Sequence, residues 1–107
     1  MQNYKIVISN RAKTNLENIY FFISKDKLFF AETFIRNLYK AIFSLKKMPE
    51  RFPIAIENKT LKLKNNQVVR NYIYKKNYRI IYIVKEEKVV ILTVRNSRML
   101  PFGISDD

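Results

Sequence analysis

The residues best suited to chemistry are the basic and aromatic side chains between Val68 and Arg98. Arginines stand at positions 70, 79, 95 and 98, tyrosines at 72 and 74, and lysines at 75 and 76. Guanidinium groups bind phosphates and carboxylates, and tyrosine rings stack on nucleobases. We therefore predict a target-binding or anion-binding site composed of Arg70, Tyr72, Tyr74, Lys75, Lys76, Arg79, Arg95 and Arg98.

The residue types missing from the chain restrict the reactions that such a site could catalyse. The 107 residues include no histidine and no cysteine. This excludes a serine–histidine triad, thiolate chemistry and disulfides, and we expect neither a metal nor a cofactor. Proton transfer would fall to a lysine, a tyrosine or a carboxylate, so a binding function is favoured over an enzymatic one.

The charge distribution predicts an acidic partner. The formal net charge is +12, and residues 59–98 contribute 11 basic and two acidic side chains to it. Such a field attracts nucleic acid or an acidic protein, although it also suits a plain solvated surface. No apolar run approaches the roughly 20 residues that span a bilayer, and the first residues do not resemble a signal peptide. We expect a cytoplasmic protein that does not interact with membranes.

Hydrophobic periodicity predicts the elements that position these residues. Tyr4–Ser9 alternates as a strand, with Ser9 or Asn10 as the following N-cap. Apolar residues at helical spacing predict two helices, Ala12–Ile23 and Ala31–Met48, joined as an antiparallel hairpin. Three strands fill residues 68–98, and Thr60–Lys64 is a further candidate edge strand. We expect residues 1–107 to form a single α+β domain of two layers, in which the first strand joins a mostly antiparallel sheet and the helical hairpin covers one face (β-α-α-β-β-β, with or without the extra strand).

The turn between the first two C-terminal strands decides which way the arginines point. A two-residue turn places Arg70 and Arg79 on the same face, whereas a three-residue loop places them on opposite faces. We favour the two-residue turn because the other arrangement buries an arginine, which costs several kcal/mol if it is unpaired. The predicted core face then carries Val69, Ile73, Ile80, Tyr82 and Val84.

Several apolar side chains lie outside the predicted core. They sit off the main helical stripes or on the open sheet face, where they would form an exposed apolar surface. Such surfaces suit a protein partner, although overflow from a small core explains them equally well. The residues concerned are Phe21, Phe29, Phe30, Ile81 and Ile83.

The order of these segments resembles the RelE/ParE family of bacterial type II toxins. ISNRAKTNLENIYFFI is similar to the family's first strand end and first helix, and AETFIRNLYKAIFSLKKMPERFP to its second helix. VVRNYIYKKNYRIIYIV is similar to its arginine-bearing strands, and VVILTVRNSRMLP to its last strand. The resemblance implies a toxin of a plasmid-stabilisation module, which a cognate antitoxin neutralises at the surface formed by the five apolar side chains.

The family contains two kinds of activity. ParE-like members bind and poison DNA gyrase, and RelE-like members cut messenger RNA on the ribosome. The resemblance would place the nuclease residues at Arg70, Tyr72, Arg79 and Arg98. RelE-like members often carry a C-terminal tyrosine, and no tyrosine follows Arg98. We therefore expect a gyrase inhibitor, with the ribosome-dependent endoribonuclease as the alternative.

Overall fold

A computed structural model describes residues 3–59, 61 and 67–98. Short 3-10 turns at Ser44–Lys46, Pro49–Arg51 and Ile56–Lys59 connect the second helix to the second strand. The predicted α+β order is confirmed, while the proposed strand Thr60–Lys64 lies outside the described residues except for Leu61, which is not in a strand. The elements are β1 (Lys5–Ile8), α1 (Asn10–Ser24), α2 (Leu28–Phe43), β2 (Val69–Tyr74), β3 (Tyr78–Lys85) and β4 (Lys88–Asn96).

The four strands form one sheet in the order β1-β4-β3-β2. β1 runs parallel to β4, and the two hairpins are antiparallel. Leu92 is an extra residue in β4, because Ile81 pairs with Thr93 and Tyr82 with Ile91. The Ser9 hydroxyl donates to the Leu92 carbonyl at 2.9 Å, which ties this bulge to the start of α1.

The helices cover one face of the sheet through the predicted apolar stripes. The Ser9 hydroxyl accepts from the Ala12 amide at 3.1 Å and caps α1 as expected. α2 ends at Phe43 rather than near Met48, because a 3-10 turn follows and Met48 takes a left-handed conformation with φ of 49°. No helix in the described part of the chain is long and apolar enough to cross a membrane.

The β2–β3 connection differs from the predicted two-residue turn. Tyr74 pairs with Tyr78, so three residues, Lys75 to Asn77, form the loop. Lys75 and Lys76 both have positive φ, at 48° and 66°. The extra residue reverses the relation between the strands: Arg70 pairs with Tyr82 on the helix side, and Arg79 pairs with Ile73 on the other side.

A second, smaller core lies on the sheet face away from the helices. Ala55 packs there against Val69, Ile81 and Ile83, with Leu61 beside them. Residues 53–57, which we call the covering segment, lie over this face, and the Ala55 amide fixes them to the sheet edge by donating to the Val69 carbonyl at 2.8 Å. The prediction that Ile81 and Ile83 are exposed is therefore wrong, since their side chains retain 0% and 7% of their accessible surface.

Candidate functional site

The covering segment places a buried carboxylate against Arg79. Two terminal nitrogens of the guanidinium donate to the Glu57 carboxylate at 2.7 and 2.6 Å, and Arg79 Nε donates to Asn71 Oδ1 at 3.0 Å. Glu57 is fully buried and Arg79 is 9% exposed. All three guanidinium nitrogens are thus engaged within the protein, in the bidentate geometry that arginine and carboxylate favour.

The prediction that Arg79 lies on an open basic face is wrong, because its side chain is buried. The covering segment explains the difference, because it lies over the face from which Arg79 projects. The Asn71 backbone amide donates to the Pro53 carbonyl at 3.0 Å, and the Ala55 backbone amide donates to the Val69 carbonyl. The segment is therefore joined to β2 on both sides of Ile54, which forms a β-bridge with Arg70. Burying an arginine is tolerated here because a carboxylate is buried with it.

Arg70, Tyr72 and Tyr74 lie on the side of the helices, not on the opposite face with Arg79. Arg70 is half-buried at the sheet edge and donates to the Phe52 carbonyl at 2.8 Å. The Tyr72 ring stacks on the Phe52 ring, with centroids 4.0 Å apart. Tyr74 is buried, with 7% of its surface accessible, and its ring contacts Phe34. These three side chains therefore make structural contacts with Phe52 and Phe34.

The remaining predicted cations meet at one end of the sheet, which we call the basic end (Lys75, Lys76, Arg95 and Arg98). The Ser97 amide donates to the Asn77 carbonyl at 2.7 Å, so the β2–β3 loop lies beside the end of β4. Lys75, Lys76 and Arg98 are exposed, and Arg95 is half-buried. Of the predicted anion-binding residues, these four are the ones that the fold brings together near solvent.

Large apolar side chains are exposed where α1 ends and α2 begins. Phe21, Phe29 and Phe30, predicted as partner contacts, are 60%, 82% and 53% exposed. Phe22 and Leu28, which were not predicted, are 72% and 57% exposed. Five exposed apolar side chains within ten residues exceed the scattered ones that a soluble surface ordinarily carries.

Two tyrosines have raised pKa values. Burial raises the pKa of Tyr82 to about 12, although the nearby Arg70 and Arg51 oppose the shift. The Tyr82 hydroxyl donates to the Pro49 carbonyl at 2.5 Å, so it is a structural donor beneath the helices. Burial also raises the pKa of Tyr78 above 10.0, and its hydroxyl stays protonated at neutral pH.

Glu57 is the structurally important residue that sequence reasoning missed. It is the single acidic residue between Glu50 and Glu86, and it follows the apolar run Ile54-Ala55-Ile56. A lone carboxylate in apolar surroundings within a basic region is the signal that could have revealed an internal ion pair. Among the described residues, no group of three acidic side chains is placed to hold a metal ion.

Comparisons with known proteins agree with this architecture. A sequence profile described as the ParE toxin of the type II toxin–antitoxin system parDE matches residues 6–101. No curated protein matches the sequence. A chain of the chromosomal ParDE system of P. aeruginosa superposes with a TM-score of 0.68 at 13% identity, over 87% of this chain and 95% of that one.

A chain of the RelBE2 toxin–antitoxin complex of Mycobacterium tuberculosis superposes with a TM-score of 0.59 at 16% identity, over 92% and 97% of the two chains. At these identities the structures show a shared fold. The sequence profile covers most of the chain and establishes the relationship. The chain belongs to the ParE toxin family of type II toxin–antitoxin systems.

Proposed function

We propose that this toxin acts in the cytoplasm by binding and poisoning DNA gyrase, and that a cognate antitoxin holds it inactive within a plasmid-stabilisation module. Residues 1–107 act as a single toxin domain in this proposal. The alternative is a ribosome-dependent endoribonuclease of the RelE kind. The two differ in what they require of the basic residues: a nuclease needs a cationic clamp and a proton-transfer group, whereas a gyrase inhibitor needs a docking surface.

The observation that carries the proposal is the engagement of Arg79 by Glu57. A nuclease clamp must offer guanidinium donors to a phosphate, and every Arg79 nitrogen already donates within the protein. The resemblance to RelE-like members also suggested Arg70 and Tyr72 as nuclease residues. Arg70 donates to the Phe52 carbonyl, and the Tyr72 ring stacks on the Phe52 ring. Arg98 is the one member of that set that is exposed. This arrangement favours binding over catalysis.

The two exposed surfaces suit two partners. The basic end offers cations without competing acids nearby in sequence, and we assign it to the target. The exposed aromatic side chains Phe21, Phe29 and Phe30 suit an apolar antitoxin segment, because covering them removes a large area of hydrocarbon from water. Ile81 and Ile83 take no part in this surface, since the covering segment buries them.

The test compares gyrase and ribosome activity with the same purified protein. We expect the wild-type chain to block supercoiling of relaxed plasmid by gyrase and to leave transcripts intact in a reconstituted translation reaction. The triple variant Lys75→Ala/Lys76→Ala/Arg98→Ala should lose the gyrase effect. Lys13→Ala, which removes an exposed charge from α1, serves as the charge control and should behave as wild type.

The opposite pattern would overturn the proposal. Ribosome-dependent cleavage of messenger RNA with normal supercoiling would assign the chain to the nuclease branch. Equal inhibition of gyrase by wild type and the triple variant would remove the basic end from the docking surface. A melting temperature for each variant confirms that lost activity does not reflect unfolding.

A further inference from the structure

A groove beside the basic end is lined by aromatic and polar side chains. The proposed binding of gyrase and of the antitoxin does not account for this lining. The groove has a volume of about 330 Å³ and lies between the last turns of α1 and the ends of β3 and β4. Its apolar base includes the buried Ile19 and Val94. Its aromatic and polar lining includes Phe22, Tyr78, Arg95 and Asn96.

The two aromatic side chains that line the groove are accessible to solvent. Phe22 is 72% exposed even though it lines the groove, and Tyr78 is half-buried. The Tyr78 ring also packs against the Phe34 ring of α2, with centroids 5.5 Å apart. Accessible aromatic side chains can stack on nucleobases, and stacking of this kind tolerates any base.

The charges around the groove favour phosphate. Arg95 lines it, and no acidic side chain is among the described residues that form its walls. The Arg98 amide donates to Asn96 Oδ1 at 2.8 Å, so Arg98 directly follows the groove wall. The lysines of the β2–β3 loop lie beside them through the contact between Ser97 and Asn77. Arg98, Lys75 and Lys76 therefore lie beyond the groove, next to its wall.

These features select among anionic ligands. A groove of about 330 Å³ is at the small end of ligand sites and suits a single nucleotide unit, yet the cations extend further than one phosphate requires. A duplex stacks its bases on one another and offers no ring face to Phe22. We propose that the groove and the basic end bind single-stranded nucleic acid, with one base stacked on Phe22 and neighbouring phosphates held by the exposed cations Arg98, Lys75 and Lys76.

The proposal stands apart from the gyrase assignment, because its test contains no gyrase. Fluorescence anisotropy measures binding of the full-length chain to a labelled oligothymidylate of about twelve nucleotides, a length within the usual site sizes. We expect Phe22→Ala to weaken binding about 5-fold to 150-fold, as removal of one stacked base contact does. Phe22→Trp should retain binding. Arg98→Gln should reduce the salt dependence by about 0.7 in the slope of log K against log salt.

The controls separate stacking from general attraction to a chain of charge +12. Phe43→Ala removes an aromatic ring that is 47% exposed at the far end of α2, and it should bind as wild type. The inference is wrong if Phe22→Ala binds as tightly as wild type in a folded state. It is equally wrong if duplex DNA or polyglutamate binds as well as the single strand, or if a free mononucleotide displaces the oligonucleotide at matched nucleotide concentration.

Discussion

Removal of the Glu57 side chain should destabilise the protein more than removal of any exposed carboxylate. The pair is fully desolvated on the Glu57 side, and the Arg79 side chain is only 11% exposed. Exposed ion pairs contribute about 0–1 kcal/mol. Truncating one partner of a buried pair costs about 3–5 kcal/mol, because the other charge is left buried without compensation. We therefore expect Glu57→Ala to lower the free energy of unfolding by about 3–5 kcal/mol.

A double-mutant cycle identifies the source of that loss. Glu57→Leu and Arg79→Met, the two single variants of the cycle, should both be strongly destabilising, because each removes one partner of the buried ion pair and leaves the opposite charge buried. In the variant Glu57→Leu/Arg79→Met, neither charge remains, and apolar replacements of a buried pair are often neutral or stabilising. The double variant should consequently be more stable than either single variant. Urea denaturation supplies the four free energies, and unchanged slopes with urea concentration show that they are comparable.

Two further measurements test whether the Glu57–Arg79 pair stabilises the fold as a buried ion pair. Glu32→Ala removes an exposed helical carboxylate and should change stability by less than about 0.5 kcal/mol. In Glu57→Gln, amide hydrogen exchange should accelerate at Ala55 and Asn71, whose amides hold the covering segment to the sheet at 2.8 and 3.0 Å. A loss below about 1 kcal/mol in Glu57→Ala, or additive single effects in the cycle, would show that the pair behaves as a solvated one.

Three other predictions test the core and the basic end. Leu38→Ala should cost about 2–5 kcal/mol through a core cavity, whereas Leu28→Ala should cost far less in urea denaturation because Leu28 is 57% exposed. The pKa of Tyr82 is raised from 10.0 to about 12 in the folded state, so its stabilising effect is complete below pH 10 and is lost as pH rises through about 12. Tyr82→Phe should therefore show a smaller drop in urea midpoint over that range; an unchanged drop would exclude Tyr82. Arg98→Ala should reduce growth arrest on expression without changing the melting temperature, whereas Arg79→Ala should lower the melting temperature; full toxicity in Arg98→Ala would exclude its role in docking.

Sequence patterns predicted the elements because short-range physics determines them. The stripe Ala12, Leu16 and Ile19 became the buried side of α1, and Ser9 became its N-cap. Strand alternation correctly placed Ile80 and Tyr82 together beneath the helices. Each of these features depends on residues within a few positions of one another, which is the range over which periodicity and capping operate.

The faces of the sheet could not be predicted because they depend on one residue in a loop. Lys75 and Lys76 adopt positive φ, which is favoured by glycine and asparagine and is uncommon for lysine, so no local signal marked the three-residue loop. Arg79 can be buried because Glu57 is buried with it, and Glu57 lies 22 positions earlier in the chain. A compensating charge at that separation leaves no periodic trace.

Because Arg79 pairs with Glu57 inside the protein, the accessible cations Lys75, Lys76 and Arg98 lie at the end of the sheet and not on its face. The same end adjoins the helical hairpin, because Phe34 contacts both Phe30, at 6.0 Å between ring centroids, and Tyr78, at 5.5 Å. Lys75 lies over the Tyr74 ring, which Phe34 also contacts. A partner that covers Phe30 is therefore within a few side chains of Lys75. An antitoxin segment that combines apolar and acidic residues could cover the exposed aromatic side chains and the basic end together, and would compete there with any target or nucleic acid that binds the same cations.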